Sequence, residues 1–168
     1  PCIADIKCGI RPYDLEATPE KTKRALKEQE GSTSYTLYIR GESIATRKGG
    51  NLESNLIKKD LLKYNDSELI AAIKGFIPQN LVQIYEEQMR NMISVFEAMK
   101  REYPYFRIYA GSVMIAYDGD AKDKIRLKII DLSHTYLDIS KCVDNPDDKQ
   151  YDDGFLEGLK SLLKIAYA

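Results

Sequence analysis

The chain opens on a run in which the charged positions recur every second residue. In Cys2-Ile3-Ala4-Asp5-Ile6-Lys7-Cys8, Asp5 and Lys7 interrupt an otherwise apolar stretch. That pattern predicts a strand over 2–8 with both charges on one face, roughly 6–7 Å apart. Residues 11–16 read as a turn. Thr18-Pro19-Glu20 then places a hydroxyl N-cap before a proline at the first helical position, so a helix is expected over about 19–30, ended by Gly31. The β-branched and aromatic content of TLYIRG and ESIATR at 36–47 predicts a hairpin, and the polar, glycine-bearing RKGGNLESN at 47–55 a loop or a turn between strands. Asn65-Asp66-Ser67-Glu68 offers several N-caps for a helix through Phe76, and Pro78 opens a longer one reaching about Glu102. In that longer helix Leu81, Tyr85, Met89, Met92, Phe96 and Met99 recur at spacings of three and four, an apolar stripe for core packing. Pro104 stops it. Strands over 105–117 and 125–131 are expected to form a hairpin around GDAKDK, 138–150 a solvated loop, and 153–166 the last helix. This order of elements predicts an α+β fold with a mostly antiparallel sheet and flanking helices.

Composition narrows the function classes. With 168 residues, 43% of them hydrophobic, the chain has the size and core of one domain. A net charge of -1 and a pI near 6.0 argue against non-specific nucleic-acid binding, which needs a broad basic surface. Any anion site must therefore be a local cluster. Cys2, Cys8 and Cys142 are odd in number and lack metal-ligand spacing, which points to neither a disulfide framework nor zinc and fits a reducing compartment. No apolar run approaches the roughly 18–20 residues of a membrane span.

Three places concentrate chemistry. An ammonium at Lys7 can neutralise phosphate while Asp5 orients it or accepts a proton, which suggests phosphoryl transfer; a solvated edge lysine and its structural counter-charge are the plain alternative. Asp131 ends the apolar run KIIDL, where a carboxylate is costly unless paired, hydrogen-bonded or metal-bound. His134, the only histidine, follows three residues later. On the helix over 19–30, Lys23, Lys27, Arg24 and Lys21 fall in that order across an arc of about 160°, opposite Leu26 and Ala25, with Glu20 and Glu28 in the same arc. A charge-laced solvent face is the competing reading of that cluster.

The pattern Pro-x-x-x-Asp-x-Lys-x-Gly at 1–9 resembles the signature of the inositol polyphosphate kinase family. GSVMIAYDG at 111–119, IIDLSHT at 129–135 and DDGFLEGLKSLLKIA at 152–166 resemble further blocks of the family in type and order. STSYTLYIRG at 32–41 is most similar to the inositol hexakisphosphate kinase branch. Leu132, Ser133 and Val113-Met114 depart from the usual residues by small or apolar exchanges that leave the charged positions intact. Family kinases carry an amino-terminal lobe ahead of this signature. Residues 1–168 are accordingly expected to form the substrate-binding and catalytic lobe, the larger lobe of a two-lobed kinase, and to bind ATP poorly alone.

The resemblance implies ATP-dependent phosphorylation of inositol polyphosphates, inositol hexakisphosphate foremost and lower inositol phosphates besides, with Mg2+ as cofactor. It implies Asp5 and Lys7 as catalytic residues, and Lys7, Lys21, Arg24, Lys27 and His134, with Arg40 behind them, as substrate contacts. Ser112 and Asp131 are implied on the nucleotide side, with Asp131 as the metal ligand. A monomer in the cytoplasm, and also the nucleus, is expected. The rival from another class is a non-catalytic inositol-phosphate or phosphoinositide binding module, against which an intact Asp5, Lys7 and Asp131 argue, since a binder needs no metal aspartate.

Overall fold

The structure, a computed structural model, describes residues 1–167. Its centre is an antiparallel sheet in the order β3-β2-β1-β5-β6, built from β1 (Cys2–Cys8), β2 (Ile39–Lys48), β3 (Asn51–Ile57), β5 (Ser112–Tyr117) and β6 (Ile125–Ile130). A second ribbon pairs β4 (Arg107–Ile108) with β7 (Thr135–Tyr136). The helices are α1 (Pro19–Gln29), the single turns α2 (Ser34–Leu37) and α3 (Lys58–Leu61), then α4 (Asp66–Phe76), α5 (Val82–Glu102) and α6 (Phe155–Ile165). The α+β class with an antiparallel sheet is as expected.

Local chemistry explains most element boundaries. The Thr18 hydroxyl accepts the Lys21 amide at 3.2 Å with Pro19 leading α1, and Asn65 and Glu68 exchange the two bonds of a capping box at the start of α4. The stripe of α5 packs as expected: Tyr85, Met89 and Phe96 are buried with Ile93, while Met92 and Met99 pack at its margin. The Tyr85 hydroxyl donates to the Leu162 carbonyl at 2.9 Å, pinning α5 to α6.

Burial alternates strictly along β1. Cys2, Ala4, Ile6 and Cys8 face the core beneath the helices, and Ile3, Asp5 and Lys7 lie half-buried on the other face. Burying one side chain such as Ile6 stabilises the fold by about 1.5–3 kcal/mol, so a slip of one residue, which would bury Asp5 and Lys7 instead, is strongly excluded.

Three expectations need correction. The hairpin does not turn near Gly41. Residues 34–37 form a helical turn and β2 runs unbroken through Lys48; of the two readings of 47–55 the turn between strands holds, at Gly49-Gly50, both at positive φ, with β3 occupying 51–57. Gly41 is small for another reason: a Cβ there would stand 2.8 Å from Leu61 Cδ1. The strand over 105–117 is broken by Ala110 at φ 55, which diverts β4 into the second ribbon. The 138–150 segment is not wholly solvated, since Ile139 is fully buried within a short 3-10 turn.

Candidate active site

Asp5 and Lys7 share the half-buried face of the central strand. Lys7 pairs in register with Ser112 on β5 and with Arg40 on β2. Beside Asp5 the register with β2 shifts, leaving Glu42 without a partner across from β1; bulges of this kind re-aim side chains next to functional sites. The left-handed turn at Ala110 presents its carbonyl to Lys7, whose Nζ donates to it at 2.8 Å. An ammonium has three donors, so two remain for a ligand.

The second arm of the site is the turn after β6. Asp131 adopts φ 60, ψ 47, a conformation uncommon outside glycine. It stops the strand and starts a short 3-10 turn over Leu132–His134. That turn brings Asp131, Ser133 and His134 to one cavity of about 260 Å³, lined also by Lys7, Pro12, Tyr13, Lys21 and Ala110. Four residues proposed from sequence therefore converge here: Lys7, Lys21, Asp131 and His134.

Asp5 and Ser112 lie on the sheet floor beside them. Burial raises the Asp5 carboxyl above its ordinary range, opposed by the Ser112 hydroxyl and by Lys7, and reinforced by the negative charges of Glu42 and Asp131. Asp5 Oδ1 and the fully buried Ser112 Oγ lie near each other, but neither makes a hydrogen bond of full geometry. Unpartnered buried oxygens beside a further carboxylate are the donor set a hard cation takes. The described residues contain no cluster of three or more His, Cys, Asp or Glu able to hold a metal alone, and magnesium, which uses one or two carboxylates and completes its shell with phosphates and waters, does not need one. Asp131 thus fits a phosphate-bound Mg2+, with the buried oxygens of the sheet floor behind it.

The basic face of α1 divides. Lys21 joins the cavity, whereas Lys23 and Lys27 line a different one of about 480 Å³ with Leu26, Glu30, Gly31 and Tyr35. Arg24 lies between them, within electrostatic reach of Glu28. Arg40 is buried and its Nε donates to Glu42 at 2.9 Å; Lys58 bridges Glu42 at 3.6 Å and Glu28 at 2.7 Å, holding the Glu28 carboxyl below its usual range. Two participants had no signal in sequence. Asp14 is buried, with Oδ2 2.6 Å from His134 Nδ1 and 3.7 Å from Lys21 Nζ. Tyr13 is held by its neighbour Arg11, whose guanidinium lies over the rings of Tyr13, Tyr109 and Tyr151 at 4.5, 4.8 and 5.5 Å. Asp14 sits in RPYDLE, which reads locally as a turn, and only the distant histidine gives it a second meaning.

A half-buried acid and lysine on one strand thus face an aspartate and a histidine from the turn that follows another, charged groups of the kind that bind and neutralise phosphate. Residues 1–167 match the inositol polyphosphate kinase family, and the chain belongs to it. It is 27% identical over 146 residues to inositol hexakisphosphate kinase 1 of Mus musculus, covering 79% of this chain and 31% of that protein. It is 26% identical over 195 residues to inositol hexakisphosphate kinase 3 of Mus musculus, covering 98% and 46%. The chain thus spans about a third to a half of the length of these relatives. A solved inositol phosphate multikinase shares the fold with a TM-score of 0.76 at 17% identity, over 99% of this chain and 78% of that one. The multikinase of S. cerevisiae, solved with ADP and Mn2+, does so with a TM-score of 0.66 at 18% identity, over 99% and 77%.

Proposed function

We propose that this protein transfers the γ-phosphoryl group of ATP to inositol polyphosphates, with inositol hexakisphosphate as the preferred acceptor. The observation that carries the reading is the convergence of Lys7, Lys21, Asp131 and His134 on one cavity at the end of the Asp5–Lys7 face. Similarity to hexakisphosphate kinases supports the choice of acceptor.

A bound Mg2+ would neutralise charge on the transferring phosphates, and Asp131 would hold it. The free donors of Lys7 offset charge spread over the phosphoryl oxygens, where one such interaction is worth about 2.7–4 kcal/mol. Lys21 and His134 hold the acceptor on the opposite wall. When the acceptor is a phosphate of inositol hexakisphosphate, its oxygen is already ionised and no base is needed. When it is a hydroxyl of a lower inositol phosphate, the proton goes to Asp5, whose raised pKa fits it to accept one.

The three cysteines, none disulfide-bonded, support a cytoplasmic or nuclear setting. No helix among the described residues is long and apolar enough to cross a membrane.

The deciding experiment is product analysis after incubating full-length protein with Mg-ATP and inositol tris- or hexakisphosphate. Transfer to the hexakisphosphate that is lost in Asp131→Asn, while nucleotide-free binding of the inositol phosphate persists, is expected. Binding without transfer to any inositol phosphate would favour the non-catalytic module.

A further inference from the structure

Asp14 lies in the loop between β1 and α1, and its burial is hard to explain by stability. It is only 6% exposed, yet Oδ1 is buried without a partner. A buried carboxylate left half-unpaired is expensive, and a neutral residue of similar shape would serve the fold better. What the charge does is geometric. Oδ2 reaches His134 Nδ1 at 2.6 Å and Lys21 Nζ at 3.7 Å, two side chains that line the same cavity but come from different elements, the turn after β6 and the first turn of α1. With Nδ1 engaged, Nε2 is the ring nitrogen left for a ligand.

We propose that Asp14 is a positioning residue of the acceptor wall: it fixes the His134 ring through Nδ1 and restrains the Lys21 ammonium, so that both meet the same phosphate of an inositol polyphosphate. The identity of that ligand rests on the kinase reading above; the geometry does not. His134 without Asp14 could turn its ring and present either nitrogen, and Lys21, 46% exposed along its side chain, would sample solvent.

Two measurements on the full-length protein test this. In the first, Asp14→Ala should raise both the Kd of inositol hexakisphosphate, measured calorimetrically without nucleotide, and its KM by about tenfold or more, leaving the KM for ATP within about twofold. Asp14→Glu should recover part of the loss, and Asp14→Ala should add little to a Lys21→Ala, His134→Ala double variant. An equal rise in both KM values, or full additivity with the double variant, would overturn the assignment. In the second, 15N NMR of the wild type minus His134→Gln reads the His134 ring directly, whether or not any Asp14 variant folds. A proton on Nδ1 is expected; a neutral ring carrying its proton on Nε2 overturns the proposal. Wild-type protein that binds inositol hexakisphosphate but transfers nothing would sink the kinase reading, while the calorimetric Kd of the Asp14 variants and the NMR of the His134 ring would still decide the Asp14 proposal.

Discussion

Replacing Gly9, the last residue of the opening signature, by alanine should destabilise the fold rather than weaken substrate contacts. Gly9 sits at φ +101, and a Cβ there would stand 2.3 Å from the carbonyl oxygen of Asp153. That carbonyl accepts the Ile10 amide at 3.0 Å, and the Gly9 amide itself donates to Tyr38 at 2.8 Å, so the backbone cannot retreat without losing bonds on both sides. Holding alanine in this backbone region costs about 1–3 kcal/mol, and forcing an atom into a packed contact about 1–3 more. The sum, about 2–6 kcal/mol, is a large part of the roughly 5–15 kcal/mol that stabilises an ordinary domain. Gly31 supplies the control, because at φ +72 a Cβ added to it would meet nothing within 4 Å, and its alanine variant should show only the conformational cost of about 1–2 kcal/mol. Urea unfolding of both variants separates the terms. Equal losses for Gly9→Ala and Gly31→Ala would refute the claim that the Asp153 contact matters, and a Gly9 variant of normal stability but impaired inositol-phosphate binding would reassign the glycine to the ligand.

Lys7→Ala should leave the fold intact and reduce turnover at least a hundredfold, in line with about 2.7–4 kcal/mol for one transition-state contact; more than a tenth of wild-type turnover would rule it out as catalytic. Lys21→Ala should raise the KM for inositol hexakisphosphate and flatten its salt dependence, whereas Lys23→Ala with Lys27→Ala, which alters the other cavity, should do neither in the same steady-state assay. Because burial raises the Asp5 pKa, the native state holds its proton to higher pH than the unfolded chain, so the stability present in acid is lost as pH rises through the folded pKa. Asp5→Asn should therefore melt higher than wild type at about pH 8 and show no such gain near pH 3, below both pKa values. A gain of the same size at both ends would show that ionisation is not the cause.

Elements marked by local chemistry were legible in the chain. The caps at Thr18 and Asn65, the period of two in β1 and the stripe of α5 each depend on residues a few positions apart. Gly41 and Gly49-Gly50 show where this stops. All are glycines near a predicted hairpin, but Gly41 answers to Leu61 packed against it, a tertiary contact with no local trace, while the pair makes the turn. Ala110 carries no residue-type signal for its left-handed backbone either. In the site, Lys7 stands out because it breaks an apolar strand, Asp131 because it ends one, and His134 because it is the single histidine three residues further on. The division of α1 between two cavities depends on how the helix sits, which its angular pattern alone does not determine.

The central place of β1 bears on how this part of the protein is made. Of the five strands in the sheet it is synthesised before the other four, yet it pairs on one side with β2 and on the other with β5, more than a hundred residues later. Its rear is sealed by α6, where Gly158 is so close that a Cβ would lie 2.6 Å from the Tyr38 carbonyl and 2.9 Å from Cys8 Cβ. Lys100 and the Ile108 amide both bind the buried Asp153 just ahead of that helix. The strand bearing Asp5 and Lys7 therefore stays unpaired on one side until β5 has been synthesised, and its apolar back stays uncovered by α6 until residue 165 has followed.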